Sequence, residues 1–165
     1  MARLFVAIWP PDAVLDRLAD VERPEDQGVK WVPQENLHIT LRFLGDADES
    51  EVTARLDDAQ LPAAIAVVGP AFDLLGERSL ISPVAGVDEV AEVVRHALRG
   101  MGTEPERKRF QSHITVARLA RNARPRRSAG QLFDATFPVT DVALVASTLL
   151  DTGAVYDTVA TWPTH

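Results

Sequence analysis

The chain contains no cysteine. That excludes a disulfide framework, a thiolate nucleophile, iron–sulfur ligation and any zinc site built on thiolates. A reducing, cytoplasmic setting fits such a sequence. Long apolar runs are missing as well. Leu4–Trp9 and Ala63–Val68 are six residues each, too short for a membrane span or for the core of a secretory signal. A soluble, untargeted protein with no membrane association is expected. Four signatures of common chemistry are also absent: no G-x-S-x-G elbow, no G-x-x-x-x-G-K-[ST] phosphate loop, no G-x-G-x-x-G and no H-E-x-x-H occur in the sequence.

What remains is an ordinary globular composition, 46% hydrophobic and 25% charged, enough apolar material for a real core and too much for disorder. At 165 residues the chain is expected to form one domain, residues 1–165, with room for two small lobes sharing a core. The net charge of −7 is unevenly spread. Residues 107–127 hold eight basic side chains (Arg107, Lys108, Arg109, Arg118, Arg121, Arg124, Arg126, Arg127) and no acidic one, leaving nine basic against 24 acidic residues elsewhere, a net of −15. Such a body repels a long polyanion. The local patch either holds one or two phosphates or a strand end, or is a solvated Arg-rich loop.

Two stretches resemble each other: Leu37-His38-Ile39-Thr40-Leu41-Arg42-Phe43-Leu44 and Ser112-His113-Ile114-Thr115-Val116-Ala117-Arg118-Leu119. With only four histidines in the chain, a second His-Ile-Thr arises by chance at roughly the one-in-a-hundred level when internal repeats are sought. The copies stand 75 residues apart, which suggests two halves on a similar plan. Arg3–Trp9 reads as a strand, Pro11–Val21 as a helix, Leu37–Leu44 as a strand ending at Gly45, and Glu49–Ala59 as a second helix. Ile65–Leu75 and Ser79–Ala85 read as strands, and Val87–Met101 as an amphipathic helix. His113–Leu119, Phe133–Val139, Val142–Leu150 and Val155–Trp162 complete the strands, with a hairpin turn at Asp151-Thr152-Gly153. Many strands with mixed connections predict an α+β fold with largely antiparallel sheets.

Strand alternation puts His38, Thr40 and Arg42 on one face, with Ile39, Leu41 and Phe43 on the other. By the same count His113 and Thr115 leave their sheet together. Each copy thus offers an imidazole and a hydroxyl about 7 Å apart along a strand. Two imidazoles suit a phosphodiester. With an ordinary pKa near 6.5, one ring can be neutral and take a proton from water while the other is charged and gives one to the leaving oxygen. The threonine hydroxyls can donate to the non-bridging oxygens as charge shifts onto them. Spacing alone leaves a metal site on the two histidines open. Apart from Glu35, however, no acidic residue lies within five positions of either, so no metal or cofactor is expected. His96 reads as a surface helix residue and His165 as a frayed terminus.

The paired His-x-Thr motifs, with Arg3–Ile8, Asn36, Phe43-Leu44-Gly45, Phe110–Arg118, Ser147 and Gly153-x-x-Tyr156, resemble the 2H phosphoesterases. Within them the likeness is to the RNA 2′,3′-cyclic phosphodiesterase branch, historically named as bacterial 2′-5′ RNA ligases. The resemblance implies a bilobal fold whose halves, related by a pseudo-twofold, face each other across a cleft where His38 and His113 meet. It implies opening of a terminal 2′,3′-cyclic phosphate to a 2′-phosphate without metal, and possession of a reverse, ligating direction. His38 would be the general acid, His113 the general base, and Thr40, Thr115 and Arg118 phosphate ligands, with Phe43 near the base. The partners are then RNA ends or nucleotides carrying a cyclic phosphate, and the chain would act as a monomer. Arg118 and Phe43 fall on the wrong faces by strict alternation, so a bulge or strand end must redirect them. Two other readings stay open: a module that binds phosphorylated RNA ends without turnover, and an enzyme for a small cyclic phosphate such as an ADP-ribose derivative.

Overall fold

The computed structural model describes residues 2–106 and 109–165; Arg107 and Lys108 of the basic stretch lie outside the described residues. In chain order the elements are β1 (Ala2–Ile8), α1 (Asp12–Ala19), β2 (Val29–Trp31), a 3₁₀ turn at Gln34–Asn36, β3 (Ile39–Ala47), α2 (Glu49–Asp57), β4 (Ala64–Val68), β5 (Asp73–Leu75), β6 (Ser79–Ala85), α3 (Asp88–Ala97), β7 (His113–Leu119), β8 (Ala135–Val139), β9 (Asp141–Leu150) and β10 (Gly153–Pro163). The ten strands form one curled, wholly antiparallel sheet in the order β10-β9-β1-β3-β7-β6-β4-β8, with β2 on β7 and β5 on β6.

The repeat in the sequence is a repeat in the fold. β1–α1–β3 and β6–α3–β7 are both strand, helix, strand units whose strands pair antiparallel, and each His-Ile-Thr opens its second strand. The halves join where Ile39 pairs with Ile114, the middle residues of the two motifs. A pseudo-twofold therefore passes through that pair. Continuing the antiparallel count, Thr40 stands opposite His113 and His38 opposite Thr115.

The helices cover one face of the sheet through their apolar stripes: Val14 and Leu18 of α1, Val52 and Leu56 of α2, and Val90, Ala91 and Val94 of α3 are buried. They pack with Leu4, Val6, Ile8, Leu41, Leu80 and Ile114 in one core, where each fully buried Leu, Val or Ile contributes about 1.5–3 kcal/mol. Asp48 starts α2 by accepting from the Glu51 N–H at 3.2 Å, which satisfies one of the helix's unpaired donors.

Three sequence expectations change. The single strand over Ile65–Leu75 is two, because β4 stops at Val68 and Gly69 turns the chain at φ +113°. A Cβ at Gly69 would lie 2.1 Å from the Phe133 carbonyl oxygen, so only glycine fits there. His165 is not frayed: its N–H donates to the Leu61 carbonyl at 2.9 Å, and its carbonyl accepts from Ala63 at 2.8 Å. Arg42 does not share the His38 face; it turns inward, as the site geometry explains.

Candidate active site

Both strands that carry the motifs are bulged at the same place. On β1, Ala7 pairs with Thr40 and Val6 with Arg42, so Leu41 is the extra residue; on β6, Ile81 pairs with Thr115 and Leu80 with Ala117, so Val116 is. Each bulge puts two consecutive residues inside, Leu41 with Arg42 and Val116 with Ala117, and shifts the alternation by one. The residue five after each histidine, Phe43 and Arg118, thereby emerges exposed on the histidine's own face. The redirection that the resemblance required is present in both halves.

Arg42 is carried inside by the same bulge and is only 8% exposed. Its guanidinium donates to the carbonyls of Phe43, Met101 (3.2 Å) and Glu104 (2.9 Å). It fastens the segment after α3 against β3. A cavity of about 330 Å³ opens between these parts, with Thr40, Phe43, His113, Thr115 and Arg118 in its wall and Ser79, Arg95, Arg109 and Phe110 beside them.

The two histidines are held alike at Nδ1. His38 Nδ1 lies 2.7 Å from the Asn36 carbonyl, and His113 Nδ1 lies 2.7 Å from the Gln111 carbonyl. A carbonyl only accepts, so each Nδ1 carries hydrogen, and in the neutral ring Nε2 is then the basic nitrogen. His38 sits just behind the cavity wall, with Thr40 Oγ1 donating to its Nε2 at 2.9 Å. Its ring is packed among Phe5 (centroids 4.8 Å apart), Tyr156 (5.4 Å) and Trp9 (5.6 Å). Burial pushes His38 down to about 4; the Asn36 carbonyl works against this, and the charges of Arg118 and His113 reinforce it. At neutral pH the free protein holds His38 uncharged. Arg118 spans to Ser79 Oγ at 3.5 Å.

The other basic residues divide. Arg109 borders the cavity, whereas Arg127 belongs to a loop tied to Asp26, whose carboxylate accepts from the Arg127 N–H, the Ser128 N–H and the Ser128 hydroxyl, each at 2.8 Å. Arg121, Arg124 and Arg126 are exposed and outside the cavity wall. His96 is exposed on α3, as expected. Among the described residues no three His, Asp or Glu side chains gather as a metal ion would require, and no helix is long and apolar enough to cross a membrane. Sequence reasoning missed Phe5, Trp9 and Tyr156 as neighbours of His38. Phe5 and Tyr156 were visible only as flanking likenesses without a role.

His113, both threonines and Arg118 on one cleft, with His38 hydrogen-bonded to Thr40 behind its wall, at the seam of a duplicated α+β fold, fit a phosphoesterase of the paired His-x-Thr class. Comparisons with known proteins give the family. A family model described as LigT like Phosphoesterase matches residues 8–68. The RNA 2′,3′-cyclic phosphodiesterase of Archaeoglobus fulgidus is 34% identical over 132 residues, 72% of this chain and 73% of that protein. The RNA 2′,3′-cyclic phosphodiesterase of Thermus thermophilus is 32% identical over 178 residues, covering 93% and 86%. The crystal structure of TT0787 from Thermus thermophilus superposes with a TM-score of 0.79 at 29% identity, over 98% of this chain and 97% of that one. The chain belongs to the LigT-like 2H phosphoesterase family.

Proposed function

We propose that this protein hydrolyses the terminal 2′,3′-cyclic phosphate of RNA to a 2′-phosphate, using its two histidines and no metal. The observation that carries the reading is the crossed seam: pairing Ile39 with Ile114 sets each histidine across from the other motif's threonine, as a two-sided proton transfer about one phosphorus needs. The names of the Archaeoglobus and Thermus relatives support the substrate class.

In this reading, water attacks phosphorus and gives its proton to His113 Nε2. The P–O3′ bond breaks, the 3′ oxygen takes the proton from His38 Nε2, and a 2′-phosphomonoester and a 3′-hydroxyl result. Arg118, Thr40 and Thr115 hold the non-bridging oxygens as negative charge grows on them. His38 acquires its proton with the substrate. The bound phosphate's negative charge favours the imidazolium and offsets that of Arg118, one of the influences that keep the free ring neutral. Protonation also reverses the bond at Nε2. The ring then donates, and the Thr40 hydroxyl hydrogen turns to the phosphate.

The test is incubation with 2′,3′-cyclic mononucleotides and a cyclic-phosphate-ended oligonucleotide in EDTA, followed by identification of the product isomer. A 2′-phosphate formed in chelator is expected. Tight binding without turnover would make the protein a reader of phosphorylated ends. To assign the two protons, an aryl phosphodiester, whose leaving group needs no acid, should rescue His38→Ala but not His113→Ala; the converse would exchange the roles.

A further inference from the structure

At one pair of corresponding positions the two halves carry opposite chemistry. Across β1 and β3, Phe5 faces Phe43; across β6 and β7, Ser79 faces Arg118. In the first half the pair is aromatic, Phe5 buried and Phe43 in the cavity wall, where the second places a hydroxyl and a cation. Phe5, Ala7, Ala143 and Val145 form a small apolar cluster of their own, with Trp9 and Tyr156 packed on it. His38 rests against this cluster.

We propose that Phe5, Trp9 and Tyr156 are positioning residues that make the two otherwise equivalent histidines unequal, enclosing His38 in apolar surface so that its ring rests unprotonated until substrate arrives. The rings surround His38 at fixed geometry: Phe5 tilted at 31°, Trp9 at 62° and Tyr156 edge-on at 89°. Tyr156 also meets Phe5 edge-on at 5.0 Å, and Trp9 Nε1 donates to Thr158 Oγ1 at 3.1 Å, so strands β1 and β10 hold the enclosure jointly. Asn36 closes it: its side-chain amide donates to the Ala154 carbonyl at 3.0 Å, while its own carbonyl takes the His38 Nδ1 hydrogen. The titratable or charged groups that reach His38 among the described residues are few. β7 contributes Arg118 and His113, and β10 the Tyr156 phenol. Phe5 of β1 and Trp9 just beyond its end carry no titratable group.

An imidazolium in such a place loses the water that would solvate it and gains no anion, so the neutral ring is favoured. The duplicated backbone alone would give two like histidines sharing protons indifferently; the aromatic side chains assign the neutral place before substrate arrives. This deepens the phosphodiesterase reading, yet its test needs no substrate.

The experiment is an NMR titration of histidine-labelled protein. In the unsubstituted protein His38 should titrate near 4. Tyr156→Ala should raise that midpoint by one pH unit or more, about a tenfold gain in proton affinity, whereas Tyr156→Phe, which keeps the ring, should leave it in place. Trp9→Ala, at the rim, should raise it too and serves if Tyr156→Ala does not fold. A midpoint unmoved by loss of either ring, or moved as far by Tyr156→Phe as by Tyr156→Ala, would overturn the proposal. If the titrations behave as expected and no cyclic phosphate is hydrolysed, the enclosure stands and the phosphodiesterase reading fails.

Discussion

Holding His38 neutral has a thermodynamic signature that needs no enzyme assay. Above pH 6.5 the ring is uncharged in both folded and unfolded chains. As pH falls, the unfolded chain binds a proton near 6.5, while the folded protein does not until about 4. The group's folded-state pKa is depressed, so its contribution to stability is full above 6.5 and lost as pH falls to 4. At 1.36 kcal/mol per unit, the window of about 2.5 units amounts to about 3.4 kcal/mol, of which roughly 2.5 kcal/mol falls between pH 7 and 4.5. The perturbation is His38→Gln, a side chain that does not titrate. Urea unfolding of both proteins at the two pH values cancels the common titration of the carboxylates. The unsubstituted protein should lose roughly 2.5 kcal/mol more than the variant over this interval. Equal losses would show that His38 ionises freely in the folded state, and the electrostatic argument for it would fail.

Alanine at His38 or at His113 should lower turnover of a cyclic nucleotide by about 10²–10⁴-fold, with the double variant little slower than the worse single, because the two act in one step; near-full rate in either single variant counts against the mechanism. Arg118→Ala should damage mononucleotide and oligonucleotide turnover alike. Neutralising Arg124, Arg126 and Arg127 together should weaken only oligonucleotide binding, in a manner that fades as salt rises; equal, salt-insensitive rates on both substrates would make that loop a solvated surface. Arg42→Met should destabilise the fold by about 2–5 kcal/mol in denaturant unfolding, since three carbonyls lose a charged donor, and should loosen the segment carrying Met101 and Glu104 as read by amide exchange.

The pairing of His38 with His113 was legible because it rests on a repeat, and a repeat survives in sequence without any knowledge of the contacts. The strands that carry it were legible for the same reason that they bury: Ile39, Leu41, Ile114 and Val116 alternate with polar residues until the bulge. The bulges themselves were not. Neither Leu41 nor Val116 is a residue type that marks irregular backbone, so strict alternation exposed Arg42 beside His38 and turned Arg118 and Phe43 away from the histidines' faces, the reverse of what is seen. The break at Gly69-Pro70 carried a signal, but an apolar run on both sides concealed it. The surroundings of His38 could not be read at all, since Phe5, Trp9 and Tyr156 reach it from segments remote in sequence and only the sheet order brings β10, β9 and β1 to its side.

The unpaired Val116 gives strand β7 a counting frame. Upstream of it the odd-numbered side chains His113 and Thr115 look into the cleft; downstream the even-numbered Arg118 does. Adding one residue to β6 opposite it would restore regular pairing, keep both histidines and both threonines, and rotate the arginine out of phase with them. Removing Val116 itself would also close the bulge, but it would leave the arginine two positions after Thr115 and so still in phase. Length at this point, more than composition, therefore decides whether a duplicated strand pair of this kind presents two imidazoles together with a cation. That insertion would leave the acid–base pair in place and take away its anchor for the anion.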